Sequence, residues 1–341
     1  MATLPTQSKS FPAGNRWGVL NGSADTELSF GRLVHAAVTA GHDRGWRQSI
    51  ASDMAAQWEL LWKTSALRAA VSQQNTPCGH WRPPLARLFP TKRLLQMDPS
   101  ERRALSYHLG ITLAVAWARK ALRIPWLLHL DVYREQLDVN FQPGDSRPDL
   151  VGRHADGSWV VFEAKGRSSA PNKYAEMRAK DQSRRVVDIG GGVPSGCIAF
   201  FSYFSVDRSA VGRRKPKVVH LRAIDPEPGG GSEDEISLPL LTTDRFFQIY
   251  YAPWQKLVAN SNLILQEGPF TWRRLEDLDF RVGMLTRVAL ALEQGHFADV
   301  PGIVEGLSAS NGLSEQFPDW AGDGLVIEPG ESWQRPQATE S

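Results

Sequence analysis

The chain has 341 residues, 42% of them hydrophobic, which is enough for one large globular domain or two and excludes an intrinsically disordered protein. Lysine and arginine number 39 against 37 aspartates and glutamates, leaving a net charge of +2, so any phosphate contact has to come from local patches rather than from a global basic field. Its two cysteines, Cys78 and Cys197, exclude a disulfide scaffold and argue against a structural zinc site.

Residues 1–25 are polar, contain Pro, Gly and Asn, and lack the apolar core of a signal peptide, so a flexible N-terminal tail is expected. From 26 to 97 the apolar residues recur at helical spacing. Leu28, Leu33, Val34 and Ala37 form one set, and Trp46, Ile50, Met54, Trp58, Leu61 and Trp62 the next, which predicts an α-helical N-terminal region. Cys78-Gly79-His80 has no second ligand pair nearby and reads as loop, and the Pro-rich stretch from Trp81 to Pro90 separates this region from the core expected at 98–225. Asp98-Pro99-Ser100-Glu101 offers an N-cap acid, a proline at the first helical position and a glutamate at N3. That capping box starts a helix expected to run to Leu122, followed by a strand from Trp126 to Tyr133. The longest apolar runs, Ile111 to Ala118 and Cys197 to Phe204, fall short of the ~20 residues that span a bilayer, and a cytoplasmic protein without membrane contact is expected.

Between Arg147 and Lys165 two short apolar strands surround a turn and carry Asp149, Glu163 and Lys165 inside them. Ions are disfavoured in a hydrophobic strand because desolvating one costs roughly several kcal/mol unless it is paired or metal-bound. The register decides whether the three meet. A two-residue loop at Asp156-Gly157 pairs Asp149 with Ala164 and turns Glu163 to the opposite face. A three-residue loop at Ala155-Asp156-Gly157, with Gly157 left-handed, pairs Asp149 with Glu163 instead. The second register is expected, and it projects Asp149, Glu163 and Lys165 from one face. Carboxylate ligands with open positions for water and phosphate oxygens suit Mg²⁺ or Mn²⁺, and an adjacent ammonium can position or deprotonate an attacking water. The plain structural alternative is a Glu163–Lys165 ion pair beside an Asp149 that caps a turn after Pro148.

Pro148-Asp149, a short gap and then Glu163-Ala164-Lys165 at a strand end resemble the PD-(D/E)XK nuclease superfamily. The resemblance covers roughly residues 98–225 and implies an α/β fold with a restriction-endonuclease-like core of helix, three strands, helix and strand. A mixed sheet would be flanked by helices, with added α-helical N- and C-terminal regions. It implies that Asp149 and Glu163 bind a divalent ion, that the backbone carbonyl of Ala164 completes the ligand set, and that Lys165 orients the nucleophilic water. Many members add an acid from the first helix. Glu101 is the candidate there, although its capping role is the favoured reading, and Tyr107 or His108 further along could face the site. Some members use a Lys or Gln from the second helix near the metal or phosphate, and Gln182 is the candidate, with Lys180 beside it.

That second helix is expected from Lys173 to Ile189, with Tyr174, Met177 and Val186 toward the core and Arg184 and Arg185 outside, and a strand comes next from Gly196 to Ser205. Arg213, Arg214, Lys215 and Lys217 sit in an expected loop after it and, with Arg184, are the residues expected to touch a nucleic-acid backbone. Residues 226–341 are expected to form an acidic Gly- and Pro-rich linker and a mostly helical region, with helices at Thr243 to Val258 and Leu275 to Glu293 and a loose tail after Pro318. Neither Gly190-Gly191-Gly192 nor Gly229-Gly230-Gly231 continues as a phosphate loop. Phe246, Phe247, Tyr250, Tyr251 and Trp254 form an aromatic stripe, which is either core or a stacking surface. The leading expectation is a Mg²⁺-dependent nuclease acting on DNA, in a restriction-like or anti-phage setting, with a homodimer or an accessory protein as further partners. The alternatives are a catalytically inactive nuclease-like module that binds nucleic acid or a protein, and an interaction protein working through the aromatic helix.

Overall fold

The computed structural model describes residues 1–12, 17–40, 54–77, 84–211, 215–225, 240–259, 265–276, 279–309, 313–317 and 319–331. In chain order the main elements are β1 (Ala2–Lys9), β2 (Gly22–Leu28), α1 (Phe30–Thr39), α2 (Met54–Ala70), β3 (Val71–Thr76), β4 (Leu85–Pro90) and α3 (Pro99–Trp117). Then come β5 (Trp126–His129), β6 (Val139–Phe141), β7 (Leu150–Arg153), β8 (Trp159–Arg167), α4 (Lys173–Ser183), β9 (Val186–Ile189), β10 (Gly196–Val206) and β11 (Lys217–Ile224). The C-terminal part holds α5 (Leu240–Ala259), β12 (Leu265–Glu267), β13 (Phe270–Leu275), β14 (Phe280–Leu285), α6 (Thr286–Glu293), α7 (Val300–Ala309) and β15 (Leu325–Pro329).

A seven-stranded mixed sheet in the order β2-β1-β11-β10-β8-β7-β5 organises the protein. β7 is antiparallel to both β5 and β8, β8 and β10 are parallel, and β11 turns back antiparallel to β10. Both faces are covered. This is why β8 from Trp159 to Ala164 and β10 from Ile198 to Phe204 are buried without alternation. α3 lies on one face, where Trp117 packs 5.5 Å from Phe200, and α4 lies on the other, where Ala179 joins Ala199, Phe201 and Ile224. Only the second half of α3, from Leu109 onward, is buried, so its first half projects past the core toward the ends of β7 and β8. No helix among the described residues is long and apolar enough to cross a membrane.

Several elements differ from the expectations. Where a flexible tail is expected, Ala2–Lys9 forms β1 between β2 and β11, with Ala2 and Leu4 buried and the Thr6 hydroxyl 2.7 Å from that of Thr26. A polar strand paired on both edges satisfies its backbone through the ladders and its hydroxyls through each other, so composition is a poor guide to it. The N-terminal region carries the β3–β4 hairpin beside its helices, while Trp46, Ile50 and Cys78-Gly79-His80 lie outside the described residues. β5 ends at His129, and a helical turn takes over at Leu130. α4 stops at Ser183, after which Val186–Ile189 pairs with β6. The described residues of the C-terminal region hold more helix than strand, and they also hold a sheet. β12, β13, β14 and β15 form an antiparallel sheet, and the expected Leu275–Glu293 helix is β14 followed by α6, because Phe280, Val282 and Met284 alternate into the core. The stretch after Pro318 supplies β15, whose Leu325, Val326 and Ile327 are buried. The aromatic stripe of α5 is core: Phe247 meets Trp126 edge-on at 5.0 Å and Phe246 meets Trp159 at 5.2 Å.

α3 and β8 cross through glycine. A Cβ at Gly166 would come within 1.6 Å of the Ser106 carbonyl oxygen, and one at Gly110 within 2.5 Å of the Gly166 nitrogen. This approach fixes the backbone next to Lys165 against α3. Gly166→Ala is therefore expected to lose about 2–3 kcal/mol of stability in urea denaturation, as overpacked sites do. Gly302→Ala, on an open surface of α7, is expected to be neutral or slightly stabilising.

Candidate active site

The β7–β8 hairpin sets the geometry. Leu150 faces Phe162 and Arg153 faces Trp159, and the His154 N–H donates to Ser158 O at 3.0 Å. That closes a three-residue loop at Ala155-Asp156-Gly157, with Gly157 at φ +89°. Carried outward, this register brings Asp149 beside Glu163, close enough for each carboxyl group to feel the other's charge. β7 begins at Leu150, so beyond that point β8 has no strand partner on this edge. Asp149 takes over the role, its Oδ2 accepting the Ala164 N–H at 2.8 Å while its own N–H donates to Phe162 O at 3.0 Å. The N–H and C=O of a strand residue point to the same edge, so the Ala164 carbonyl also lies on the Asp149 side.

Electrostatically the pair is under load. The Glu163 side chain is 0% exposed and forms an ion pair with Lys165, which is 40% exposed. Burial pushes Glu163 up to about 8, with the Asp149 charge adding to the rise and Lys165 opposing it. Burial raises Asp149 as well, against the Ala164 N–H, Lys165 and His129. Two like charges in one dry site raise the cost of ionising each other, and the single Lys165 ammonium offsets only part of it.

Tyr107 and His129 complete the surroundings. The Tyr107 hydroxyl on α3 sits 3.2 Å from His129 Nε2 at the end of β5 and lies in the field of Asp149. Burial and the fields of Asp149 and Glu163 hold the phenol above its usual range. His129 is held below its usual range by burial, which keeps it neutral. Asp131 joins Arg134 at 2.8 Å and Arg147 at 2.7 Å, and the Arg147 hydrogen bond leads the effects that hold its carboxyl low. Of the two candidates further along α3, Tyr107 is thus the one that faces the site. The other, His108, is half-buried between α3 and α2, where its Nε2 meets Lys63 O at 3.1 Å. His129 and Asp131 are not among the sequence candidates, because nothing in the spacing of their own segment marks them.

The remaining candidates divide. Gln182 does not point at the carboxylates: its Nε2 donates to Arg147 O at 2.6 Å, bracing the Arg147-Pro148-Asp149 segment. Tyr174 and Met177, expected in the core, are exposed, because α4 packs through the small residues Ala179 and Ser183. Glu101 is exposed in the first turn of α3, where Asp98 Oδ1 accepts the Ser100 N–H at 2.8 Å. Arg184 acts electrostatically on Asp225 and Cys197. Lys217 opens β11, opposite Val206, at the same end of the sheet as Lys165 and Arg167, and Lys215 donates to Arg208 O at 3.0 Å. Arg213 and Arg214 lie outside the described residues.

Among the described residues no group of three or more His, Cys, Asp and Glu side chains is arranged to hold a metal ion. A cation here would have the two carboxylates and a backbone carbonyl, with water filling the other positions, a donor set that suits Mg²⁺ better than zinc. In comparisons with known proteins, no protein family, no curated protein and no solved structure matches this chain.

The raised Glu163 carboxyl makes stability depend on pH with a definite sign. The folded protein keeps a proton that the unfolded chain has released, so this group's contribution is lost as pH rises from the ordinary carboxylate range through about 8. Thermal unfolding in chelator is expected to show Tm falling over that window, and Glu163→Gln is expected to flatten the fall.

Proposed function

We propose that this protein is a divalent-metal-dependent nuclease of the PD-(D/E)XK type that hydrolyses phosphodiester bonds, with DNA as its substrate. The observation that carries the reading is the Asp149–Glu163 pair, a half-buried and a fully buried carboxyl group that repel each other at the unpaired edge of β8 with the Lys165 ammonium beside them. The order of α3, the antiparallel β5-β7-β8 set, α4 and the parallel β10 supports it, as does the hairpin that joins Pro148-Asp149 to Glu163-Ala164-Lys165.

Bound there by Asp149, Glu163 and the Ala164 carbonyl, Mg²⁺ or Mn²⁺ would acidify a water and neutralise the charge that grows on the phosphate. The chain's own residues do the rest. Lys165, partly exposed and anchored on Glu163, orients the water for in-line attack on phosphorus and gains strength as a donor from the dry wall of β8. The Ala164 N–H donates to Asp149 and helps fix its carboxyl plane, with the Tyr107 hydroxyl standing close by at His129. Gln182 acts as a positioning residue through the backbone at Arg147. A non-catalytic binding module is the second reading, favoured by the complete burial of Glu163 behind Lys165.

Incubation with linear, circular and single-stranded DNA in Mg²⁺ or Mn²⁺ tests the proposal. Cleavage is expected, abolished by chelator and reduced at least about a hundredfold in Asp149→Ala and Lys165→Ala, the scale seen when a group that stabilises the transition-state charge is removed. Cleavage that survives these substitutions, or binding to DNA without cleavage in any metal, would reject it.

A further inference from the structure

Among the described tryptophans, Trp58 and Trp62 alone are exposed, at 52% and 54%, while the others are buried in the core. They stand four residues apart on α2 and so share one face of it. The Trp62 ring lies 5.3 Å from that of His108 on α3. The residue before it, Tyr107, is 47% exposed and carries the hydroxyl that approaches His129 in the field of Asp149. Arg103 lies one turn before Tyr107 on the same face of α3, is exposed and makes no ion pair among the described residues. Trp58, Trp62 and Tyr107 therefore make a half-exposed aromatic row that leads from α2 to the carboxylate pair, with a guanidinium along it.

We infer that this row is the track on which an unpaired nucleic-acid strand stacks its bases as it enters the site, so that the preferred substrate is single-stranded or locally opened. This rests on the nuclease reading above. Two arguments select this occupant. A net charge of +2 provides little counterion-release affinity for a duplex, so stacking has to supply much of the binding. The bases of a duplex are already stacked on each other and offer no faces to Trp58 and Trp62, whereas every base of an unpaired strand does.

Anisotropy titrations in chelator, with labelled oligothymidylate and a duplex of equal length, test the track without cleavage. The wild type is expected to bind the single strand at least about tenfold more tightly than the duplex, with Trp58→Ala and Trp62→Ala each losing roughly tenfold and Trp62→Phe retaining most of the affinity. Unchanged single-strand affinity in both alanine variants, or a preference for duplex, would overturn the inference. So would a dimer in light scattering that Trp62→Ala dissociates without any oligonucleotide binding, since the row would then be a contact between copies. The two readings fail separately. Cleavage of duplex DNA by wild type and alanine variants alike removes the track and keeps the nuclease, whereas Trp-dependent strand binding with no cleavage in any metal keeps the track and removes the nuclease.

Discussion

A carboxylate sealed from water has to be neutralised by a proton or by a cation, and Glu163 is such a group with a second carboxyl beside it. Taking an ion out of water costs several kcal/mol (roughly) even after relaxation, and one ammonium shared along the strand does not cancel two negative charges. The end of the β7–β8 hairpin is thus a place where the protein gives up stability. A fold optimised only for stability would put an apolar residue at 163, as it does at Phe162 and Ala164. The electrostatic cost makes sense if a divalent ion is the intended counter-charge, because that ion is most strongly held where no water competes for the carboxylates.

The surrounding architecture holds this strained arrangement in place. The Gly110–Gly166 crossing presses α3 onto β8 just past Lys165, Gln182 ties α4 to the backbone before Asp149, and Asp149 itself serves as the missing strand partner of Ala164. Farther off, a largely buried network fixes the turn after α3, and β5, to the C-terminal region. Arg119 donates to His35 Nδ1 at 2.7 Å, to Tyr250 at 2.9 Å and to Asp323 at 3.1 Å, and Trp126 donates to the Tyr251 hydroxyl at 2.7 Å. Burial keeps His35 neutral, down to about 4, which leaves Nδ1 free to accept from the guanidinium. Because Asp323 lies in the stretch just before β15, the aromatic helix α5 and the C-terminal sheet brace the helix and the first strand of the candidate core; they do not form a separate working surface.

How much can be read in the sequence depends on how local each cause is. The β7–β8 register is legible because Asp156-Gly157 and the positions of Asp149 and Glu163 constrain one another within a few residues, and the buried runs of β8 and β10 announce a sheet covered on both faces. β1 is not legible, since its polar residues are stabilised by pairing with β11, more than two hundred residues away. β14 and α6 merge into one expected helix because a strand of period two runs straight into a helix with no intervening turn residues. The face of α4 is misleading because it buries alanine and serine, whose small side chains carry little periodic signal, and leaves Tyr174 and Met177 outside. Tyr107 and His129 meet across α3 and β5, a contact that no spacing rule within either element reveals.

On the proposed reading, the Asp149–Glu163 pair takes up a divalent ion in place of a proton. Calorimetric titration with Mn²⁺ near neutral pH, in buffers of different ionisation enthalpy, tests it directly by reporting affinity and proton release together. A single site per chain that releases protons on binding and disappears in Asp149→Asn is the expected result. Absence of Mn²⁺ binding in the wild type, or equal binding and proton release in Asp149→Asn, would contradict it and leave Glu163–Lys165 as a structural ion pair.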